Sequence, residues 1–168
     1  MSRFFGPVLQ NGYVVDDLDR ALDHWINVMG VGPFFVLPHV KMVDPVYRGR
    51  PSEVDITVAL ANSGEFQIEL ILQNNAAPSI YREWLDEGRT GLHHVGFFVA
   101  DIEATLAALP KQPERVQYGR NFCYIDTVYH PGTMVELIET ADRTRGLFGM
   151  IRDASIGWQG EDPVRIVG

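Results

Sequence analysis

The stretch GLHHVGFFVADIEATLAAL, residues 91–109, places a short apolar strand directly before a helix. Two histidines, His93 and His94, precede the apolar run, and Asp101 stands where the helix would begin. A side-chain oxygen at that position can accept a hydrogen bond from a free N–H of the first helical turn. The stretch therefore predicts a strand followed by a helix over residues 102–109, which the next proline ends.

The same pattern occurs near the N-terminus, in QNGYVVDDLDRAL from Gln10. This segment aligns with HVGFFVADIEATL from His94 at a constant offset of 84 residues, so that Asp17 falls on Asp101. The helix predicted after Asp17 covers residues 18–29 and is closed by a glycine. Such an internal repeat indicates two copies of one structural unit.

The two copies also end alike, in QIELI (residues 67–71) and MVELI (residues 134–138), each an apolar strand with an internal glutamate. Between helix and last strand, each copy has room for two more strands: GPFFVLP and SEVDITVALA in the first, ERVQYG and NFCYIDTVYHP in the second. NSGE at Asn62 and HPGT at His130 are typical of hairpin turns. Each copy is therefore predicted to be βαβββ.

We predict an α+β fold in which two tandem βαβββ modules, about residues 7–75 and 91–140, form a mixed sheet. SIYREWLDEG predicts a connector helix at about residues 79–88. The tail, residues 141–168, repeats nothing and is expected to pack on the outside or at a subunit contact. All 168 residues are expected to form one domain.

Composition excludes several classes of protein. A hydrophobic content of 46% is ample for a buried core. The net charge of −8 and the scattered basic residues argue against nucleic-acid binding. Without an apolar run of about 20 residues or a leader pattern, we expect no membrane span. The single cysteine, Cys123, permits no intrachain disulfide, fits the cytoplasm, and is expected to be buried.

Four polar residues occupy related positions in the repeat: Gln10 and His94 begin first strands, and Glu69 and Glu136 lie within last strands. An ionised carboxylate in a half-buried strand costs several kcal/mol unless it is paired or bound to metal. Arginines or a divalent cation could be the partner, and the Gln10 amide could instead bond to neighbouring backbone. With an imidazole and an amide oxygen, two carboxylates make a shell suited to Zn²⁺, Mn²⁺, Co²⁺, Ni²⁺ or Fe²⁺.

We expect the two adjacent histidines to lie on opposite faces of the strand. Successive side chains of a strand point to opposite faces, so only one histidine can enter a site. Because the repeat pairs His94 with Gln10, we expect His94 to face the site and His93 to support the strand edge.

These features resemble the vicinal oxygen chelate superfamily, which includes glyoxalase I, methylmalonyl-CoA epimerase and the extradiol dioxygenases. The paired modules and the segments LHHVGFFVADIEA and VELIE carry the resemblance over about residues 7–140. It implies a cup-shaped sheet around a metal whose ligands are Gln10, Glu69, His94 and Glu136. The LHHV segment is most similar to the epimerases, which usually have histidine at the first ligand position, whereas this ligand set resembles animal-type glyoxalase I.

The resemblance also implies a reaction in which a carboxylate removes a proton beside a metal-bound carbonyl. Glu136 is the first candidate base. Similarity to the epimerases indicates Asp55, within SEVDITVALA, as the second, with Glu53 as the alternative. One base suits isomerase or glyoxalase-type lyase chemistry, and bases on both faces of the substrate suit epimerisation.

The expected substrate is a thioester or thiohemiacetal carried by coenzyme A or glutathione. Lys41, Arg48 and Arg50 lie in one loop-like region that could bind the anionic groups of such a carrier or be an ordinary solvated loop. The resemblance implies a homodimer, and Phe148 and Trp158 of the tail are expected to be exposed.

Two other functions remain open. The same architecture can sequester a ligand without turning it over, and a fold alone does not settle activity. An extradiol dioxygenase holds ferrous iron with two histidines and one carboxylate, which would require a histidine in place of Gln10.

Overall fold

The computed structural model describes residues 2–126 and 133–167. Within these ranges it contains a mixed sheet of eleven strands and four α-helices. The strands are β1 (Gln10–Val14), β2 (Phe34–Lys41), β3 (Val46–Tyr47), β4 (Arg50–Pro51), β5 (Asp55–Ser63), β6 (Phe66–Gln73), β7 (Gly91–Val99), β8 (Arg115–Tyr118), β9 (Phe122–Ile125), β10 (Met134–Glu139) and β11 (Val164–Ile166). The helices are α1 (Leu18–Asp23), α2 (Ile80–Asp86), α3 (Ile102–Ala107) and α4 (Asp142–Ser155).

The strand order is β11-β2-β5-β6-β1-β7-β10-β9-β8-β3-β4. The two strands that open the repeats, β1 and β7, are antiparallel neighbours at the centre. Each also pairs in parallel with the glutamate-bearing strand of its own repeat, β1 with β6 and β7 with β10. The predicted mixed sheet with few helices is therefore confirmed.

The predicted capping residues begin their helices. The Asp17 carboxylate accepts a hydrogen bond from the backbone N–H of Arg20, and the Asp101 carboxylate accepts one from Ala104. After α1 the chain continues as a π-helical turn, His24–Val28, and leaves it at Gly30, whose φ of +68° suits a residue without Cβ. The first helical stretch therefore ends where the sequence predicts.

Apolar side chains pack on both faces of the sheet. On one face, α1 packs through Leu22 against β2, β5 and β6, and α3 packs through Leu106 against Cys123 and β10. Cys123 is buried, as predicted. The other face carries a second cluster with α2 and α4 and also lines a cavity. No helix in the described ranges is long and apolar enough to cross a membrane.

A segment between β2 and β5, residues 42–54, crosses from one side of the sheet to the other. It leaves β2, which pairs with β5, and forms the β3–β4 hairpin, in which β3 pairs with β8 at the far side. The N–H of Arg120 donates to the carbonyl of Val43, and the N–H of Arg48 donates to Val116. We call this segment the strap. The sequence indicated only a loop here.

The C-terminal tail is largely exposed or half-buried, and α4 packs one side against the sheet. Ile151 of α4 is fully buried in the core beside the cavity, and Phe148 stacks on Phe98 with ring centroids 5.0 Å apart. Trp158 is half-buried, and a Cβ at Gly32 would come within 2.7 Å of its ring. Phe148 is half-buried as well, so the expectation that Phe148 and Trp158 are exposed is wrong.

Two hairpins were expected between strands. The turn at NSGE joins β5 and β6, where Ser63 pairs with Phe66. The expected turn at HPGT begins at His130 and lies outside the described residues.

Candidate metal centre

The four central strands bring polar side chains to one face of the sheet. Gly12 on β1 is in register with Glu69 on β6 and with His94 on β7. Glu136 on β10 is in register with Gly96, two residues after His94. Because residues in register on neighbouring strands point to the same face, Glu69, His94 and Glu136 project together into the cavity side.

The three side chains converge on a small volume. Nε2 of His94 lies 3.2 Å from Oε2 of Glu69 and 3.1 Å from Oε2 of Glu136. One ligand atom from each residue lies within 4.8 Å of the others. Metal bonds of about 2.0–2.2 Å separate adjacent ligand atoms by about 2.8–3.6 Å in octahedral or tetrahedral shells. The two distances from His94 fit adjacent positions around a single divalent cation.

Hydrogen bonding supports the same interpretation. Nε2 of His94 and Oε2 of Glu69 are buried and face each other as an ion pair, but within the described ranges neither atom makes a hydrogen bond of acceptable geometry. Buried polar atoms without partners are costly and rare in native proteins. A bound cation would provide both atoms with a partner.

Two glycines make room for the side chains of this centre. A Cβ on Gly12 would come within 1.8 Å of Cε1 and 2.2 Å of Nε2 of His94. A Cβ on Gly96 would come within 2.8 Å of Oε1 of Gln10. Each glycine therefore leaves space for the polar side chain of the other repeat. The matching QNG and HVG triplets carry this signal in the sequence, because a glycine follows each polar residue by two positions.

Gln10 lines the same cavity as Glu69 and Glu136. Its Nε2 donates to Oε1 of Gln67 at 2.9 Å, so the amide bonds to a side chain and not to neighbouring backbone. Its Oε1 is buried and has no hydrogen-bond partner in the part of the chain that the structure describes. The carbonyl oxygen is therefore available to a ligand in the cavity.

His93 lies on the same side as His94, not on the opposite side. The register between β1 and β7 shifts at this point, because Gly12 pairs with His94 but Tyr13 pairs with Leu92. A β-bulge of this kind places two residues opposite one and breaks the alternation of side chains. Nδ1 of His93 lies 3.2 Å from Nδ1 of His94. The expectation that His93 faces away and supports a strand edge is wrong.

Burial and neighbouring charges shift the pKa values of the side chains in this cluster in the metal-free protein. Burial alone would lower the pKa of His94, but the adjacent Glu136 and Glu69 carboxylates raise it to about 9. Burial, together with the nearby His94, lowers the pKa of His93 to about 3. Burial also raises the pKa of Glu69 and of the Tyr124 hydroxyl. At neutral pH, His94 is therefore the charged member of the histidine pair and His93 the neutral one.

The cavity beside the cluster has a volume of about 340 Å³, within the usual range for small-molecule sites. Besides the polar residues, its walls are largely apolar and come from β5, β9, the strap and α4, through Val58, Leu60, Phe122, Met42, Val43 and Leu147. An apolar chamber with a few convergent polar groups favours a ligand that carries both an aliphatic part and an oxygen function.

The structure does not bring Asp55 to this cluster. Ile56 lines the cavity, so its neighbour Asp55 points to the opposite face. Its carboxylate accepts a hydrogen bond from Asn74 at 2.8 Å and lies 2.9 Å from Nδ1 of His39, and these contacts lower its pKa. Glu53, the alternative, is exposed and precedes β5. This placement corrects the expectation that Asp55 is the second base.

Of the three basic residues expected near an anionic carrier, Lys41 lines the cavity. Nε of Arg48 lies 2.9 Å from Oε1 of Glu83 on α2, so this guanidinium is engaged in holding the strap to the helix. Arg50 is exposed on β4. The structure therefore places one of the three cations at the cavity.

Comparison with known proteins shows the family. Residues 9–125 match the model of the Glyoxalase/Bleomycin resistance protein/Dioxygenase superfamily. No curated protein matches the chain.

Solved structures give a consistent result. A hypothetical protein from Bacillus halodurans C-125 is 17% identical with a TM-score of 0.55, covering 81% of this chain and 95% of its own. Methylmalonyl-CoA epimerase from Mycobacterium tuberculosis is 17% identical with a TM-score of 0.55, covering 87% and 95%. Another methylmalonyl-CoA epimerase is 20% identical with a TM-score of 0.52, covering 84% and 100%. At these identities the likeness shows the fold alone.

Because the family model matches well over half of its length, this chain belongs to the glyoxalase/bleomycin resistance protein/dioxygenase superfamily, the vicinal oxygen chelate superfamily that its sequence resembles.

Proposed function

We propose that the protein is a metal-dependent isomerase, epimerase or lyase that removes a proton α to the carbonyl of a thioester or thiohemiacetal. The observation that carries this proposal is the Glu69–His94–Glu136 cluster, whose ligand atoms lie within 4.8 Å of one another. The cluster lies beside an apolar cavity large enough for a small acyl group.

The architecture that we propose is a cup of two βαβββ modules, about residues 7–75 and 91–140, within one domain. The order β1-α1-β2-β5-β6 matches β7-α3-β8-β9-β10 once β3 and β4 of the strap are set aside. The flanking orders β1-β6-β5-β2 and β7-β10-β9-β8 correspond as well. This correspondence supports a tandem repeat with the metal between its halves.

Four side chains would hold the metal: the carboxylates of Glu69 and Glu136, Nε2 of His94, and Oε1 of Gln10. The donor set of three oxygens and one imidazole nitrogen is compatible with Zn, Co, Ni, Mn or Fe. When bound, the ion would supply Lewis-acid polarisation of the substrate carbonyl. The orphaned Oε1 of Gln10 supports its inclusion in the set.

The two carboxylates of the cluster are the groups that would transfer the proton. Glu136 on β10 remains our proposed base, and Glu69 on β6 takes the place of Asp55 as the second carboxylate. Both line the cavity, and they approach His94 from strands of different halves. Two carboxylates on different sides of one site could remove a proton from one face of a carbon and return it to the other.

The substrate that we propose is an acyl group on coenzyme A or glutathione. The apolar walls suit an aliphatic acyl chain, and Lys41 adds a cation at the cavity for a carboxylate or a carrier phosphate. The named epimerases among similar structures act on a coenzyme A thioester, which favours coenzyme A. A cytoplasmic homodimer without nucleic-acid or membrane partners remains our proposal.

The alternatives have less support. Gln10 occupies the position at which an extradiol dioxygenase would need its second histidine, and Nδ1 of His93 is hydrogen-bonded to His94. A protein that only sequesters a ligand has no use for two carboxylates beside a buried imidazole, because their burial is costly. Proton-transfer chemistry, in contrast, gives both carboxylates a role.

The test combines metal analysis with solvent exchange. Purified protein should retain about one divalent ion per chain, and Glu136→Gln and His94→Ala should lose it. With a bound ion, the protein should exchange deuterium from D₂O into the α-carbon of methylmalonyl-CoA or of the glutathione thiohemiacetal of methylglyoxal.

Asp55→Asn is the matched control, since it makes the same carboxylate-to-amide change outside the cavity and should leave metal content and exchange unaltered. Full metal retention by both Glu136→Gln and His94→Ala would refute the site. A metal-loaded protein that exchanges neither compound would favour the sequestering function.

A further inference from the structure

His93 has no chemical counterpart in the first repeat, where Leu9 occupies the related position. The His93 side chain is 1% exposed. The rings of Tyr81, Trp84 and Tyr124 surround it, with centroids 5.6, 5.0 and 6.2 Å from its own. Rotation of the His93 ring would displace these packed neighbours, so its orientation is fixed by packing.

The contact between the two histidines has a direction. Their Nδ1 atoms are 3.2 Å apart, and two ring nitrogens share a hydrogen bond only when one carries the proton and the other a lone pair. If the proton is on Nδ1 of His94, deprotonation leaves the lone pair of that ring on Nε2, next to Glu69 and Glu136. If the proton is on His93, neutral His94 is protonated at Nε2 and cannot bind a cation there.

We propose that His93 is a positioning residue of the metal centre, whose Nδ1 accepts the Nδ1–H of His94 and so directs the lone pair of His94 Nε2 toward Glu69 and Glu136. The inference rests on the metal site of the proposed function. Histidines that bind metals commonly donate their second N–H to an acceptor that fixes ring orientation and tautomer. Here the acceptor is a buried imidazole, which the β-bulge brings to the same side as the ligand.

The bulge gives this arrangement its geometric basis. In a regular strand, the residue before a ligand points to the opposite face and cannot contact it. The register shift after Gly12 places His93 beside His94, and the Tyr124 ring contacts both, with centroids 6.2 and 5.1 Å away. The aromatic neighbours therefore fix the orientation of the His93 ring. The hydrogen bond to His93 in turn fixes the orientation of the His94 ring.

Two substitutions separate positioning from packing. His93→Phe keeps an aromatic ring among Tyr81, Trp84 and Tyr124 but removes the acceptor. His93→Asn removes the ring but places Oδ1, an acceptor, at the same distance from Cβ as Nδ1. We expect His93→Phe to weaken Co²⁺ binding by about 10- to 100-fold, measured from the visible absorption of Co²⁺.

His93→Asn should bind Co²⁺ more tightly than His93→Phe even if thermal unfolding shows that it is the less stable of the two. A role in packing alone predicts the reverse order of affinities. Binding of Co²⁺ by His93→Phe at wild-type affinity would overturn the proposal.

The direction of the hydrogen bond can be read independently. Long-range ¹H–¹⁵N spectra of histidine-labelled, metal-free protein should show a proton on Nδ1 of His94, and an unprotonated Nδ1 would overturn the proposal. A wild-type protein that binds neither Co²⁺ nor Zn²⁺ refutes the metal centre of the proposed function. The spectra then decide the direction of the hydrogen bond by themselves.

Discussion

The two halves of the sheet meet at β1 and β7, which use the same local arrangement in opposite directions. In β7, His94 lies over Gly12 of β1, and in β1, Gln10 packs against Gly96 of β7. The polar residue of each half thus occupies space left by the glycine of the other. The antiparallel pairing of the two strands makes this exchange symmetrical.

The chemistry in the two halves differs. Gln10 is held by Gln67, a neutral amide two residues before Glu69, whereas Met134 stands at that place before Glu136. His94 is instead contacted by His93, which a bulge adds to its own strand. One half therefore presents a polar group that does not titrate, and the other presents one that does. Related backbones can therefore support ligands of different charge and strength.

The largest expected effect comes from Gly12→Ala, because the new Cβ would overlap the His94 ring. Since contacts of 1.8 and 2.2 Å force the imidazole or the strand to move, we expect metal binding to be lost. The free energy of unfolding should fall by about 1–3 kcal/mol or more. Denaturant unfolding and Zn²⁺ titration measure these effects.

Gly96→Ala is the matched change in the other half. Its Cβ would lie 2.8 Å from Oε1 and 3.0 Å from Cβ of Gln10, longer than the contacts at Gly12, so the loss should be smaller. Equal losses in the two variants would contradict the idea that the His94 half dominates the centre.

Removing the two first-strand ligands should also give unequal results. His94→Ala should abolish stoichiometric Zn²⁺ binding, because the imidazole is the nitrogen donor of the set. Gln10→Ala should weaken binding on the order of tenfold, since a neutral amide oxygen is a weaker ligand and water can replace it. Isothermal titration with Zn²⁺ measures both. A Gln10→Ala protein with wild-type affinity would show that this amide serves the structure alone.

The free energy of unfolding of the metal-free protein should depend on pH through His94, which lies in the second half. The pKa of His94 is raised from an ordinary 6.5 to about 9 in the folded state. A group whose pKa is higher in the folded state adds stability that is fully present below its unfolded pKa. That stability is lost as the pH rises through the folded value. The contribution, about 3 kcal/mol, should therefore decline between about pH 6.5 and pH 9.

His94→Gln makes the two halves chemically alike at this position and should flatten the profile. Denaturant unfolding of chelator-treated protein at several pH values provides the measurement. An unchanged decline in His94→Gln would assign the dependence to another group.

The smallest expected effect on Zn²⁺ affinity belongs to Gln67→Met, which gives the first half the methionine that the second half has at the related position. The substitution removes the acceptor of the 2.9 Å hydrogen bond from Nε2 of Gln10 and leaves that buried amide without a partner. The free energy of unfolding should decrease by about 1–3 kcal/mol, with only a modest loss of Zn²⁺ affinity. A loss of affinity greater than that of Gln10→Ala would show that Gln67 itself contacts the ion.

The repeat made much of this molecule predictable. A constant offset relates Gln10 to His94, the apolar strands around Glu69 and Glu136 mark these glutamates as unusual, and the structure places all four residues on one face of the sheet. This succeeded because register and alternation follow directly from strand pairing.

The predictions that were wrong concern features that do not follow from strand register and side-chain alternation. The bulge at His93 depends on the pairing partner of β7, which is distant in sequence. Similarity across a loop indicates Asp55, whereas its alternation with Ile56 and Val58, which line the cavity, places it on the opposite face. The strap is an insertion in the first repeat and α4 follows the second, and neither has a counterpart in the other repeat, so periodicity alone could not place them over the cavity.

The strap and the tail also have a consequence for assembly. They add β4 and β11 beyond the repeated strands, so the outermost strands of the sheet are two and three residues long. Short outer strands offer few backbone groups to a neighbouring chain and oppose edge-to-edge growth of the sheet. A homodimer of this protein would therefore form through side-chain surfaces and not by continuing its hydrogen-bonded ladder into a second copy.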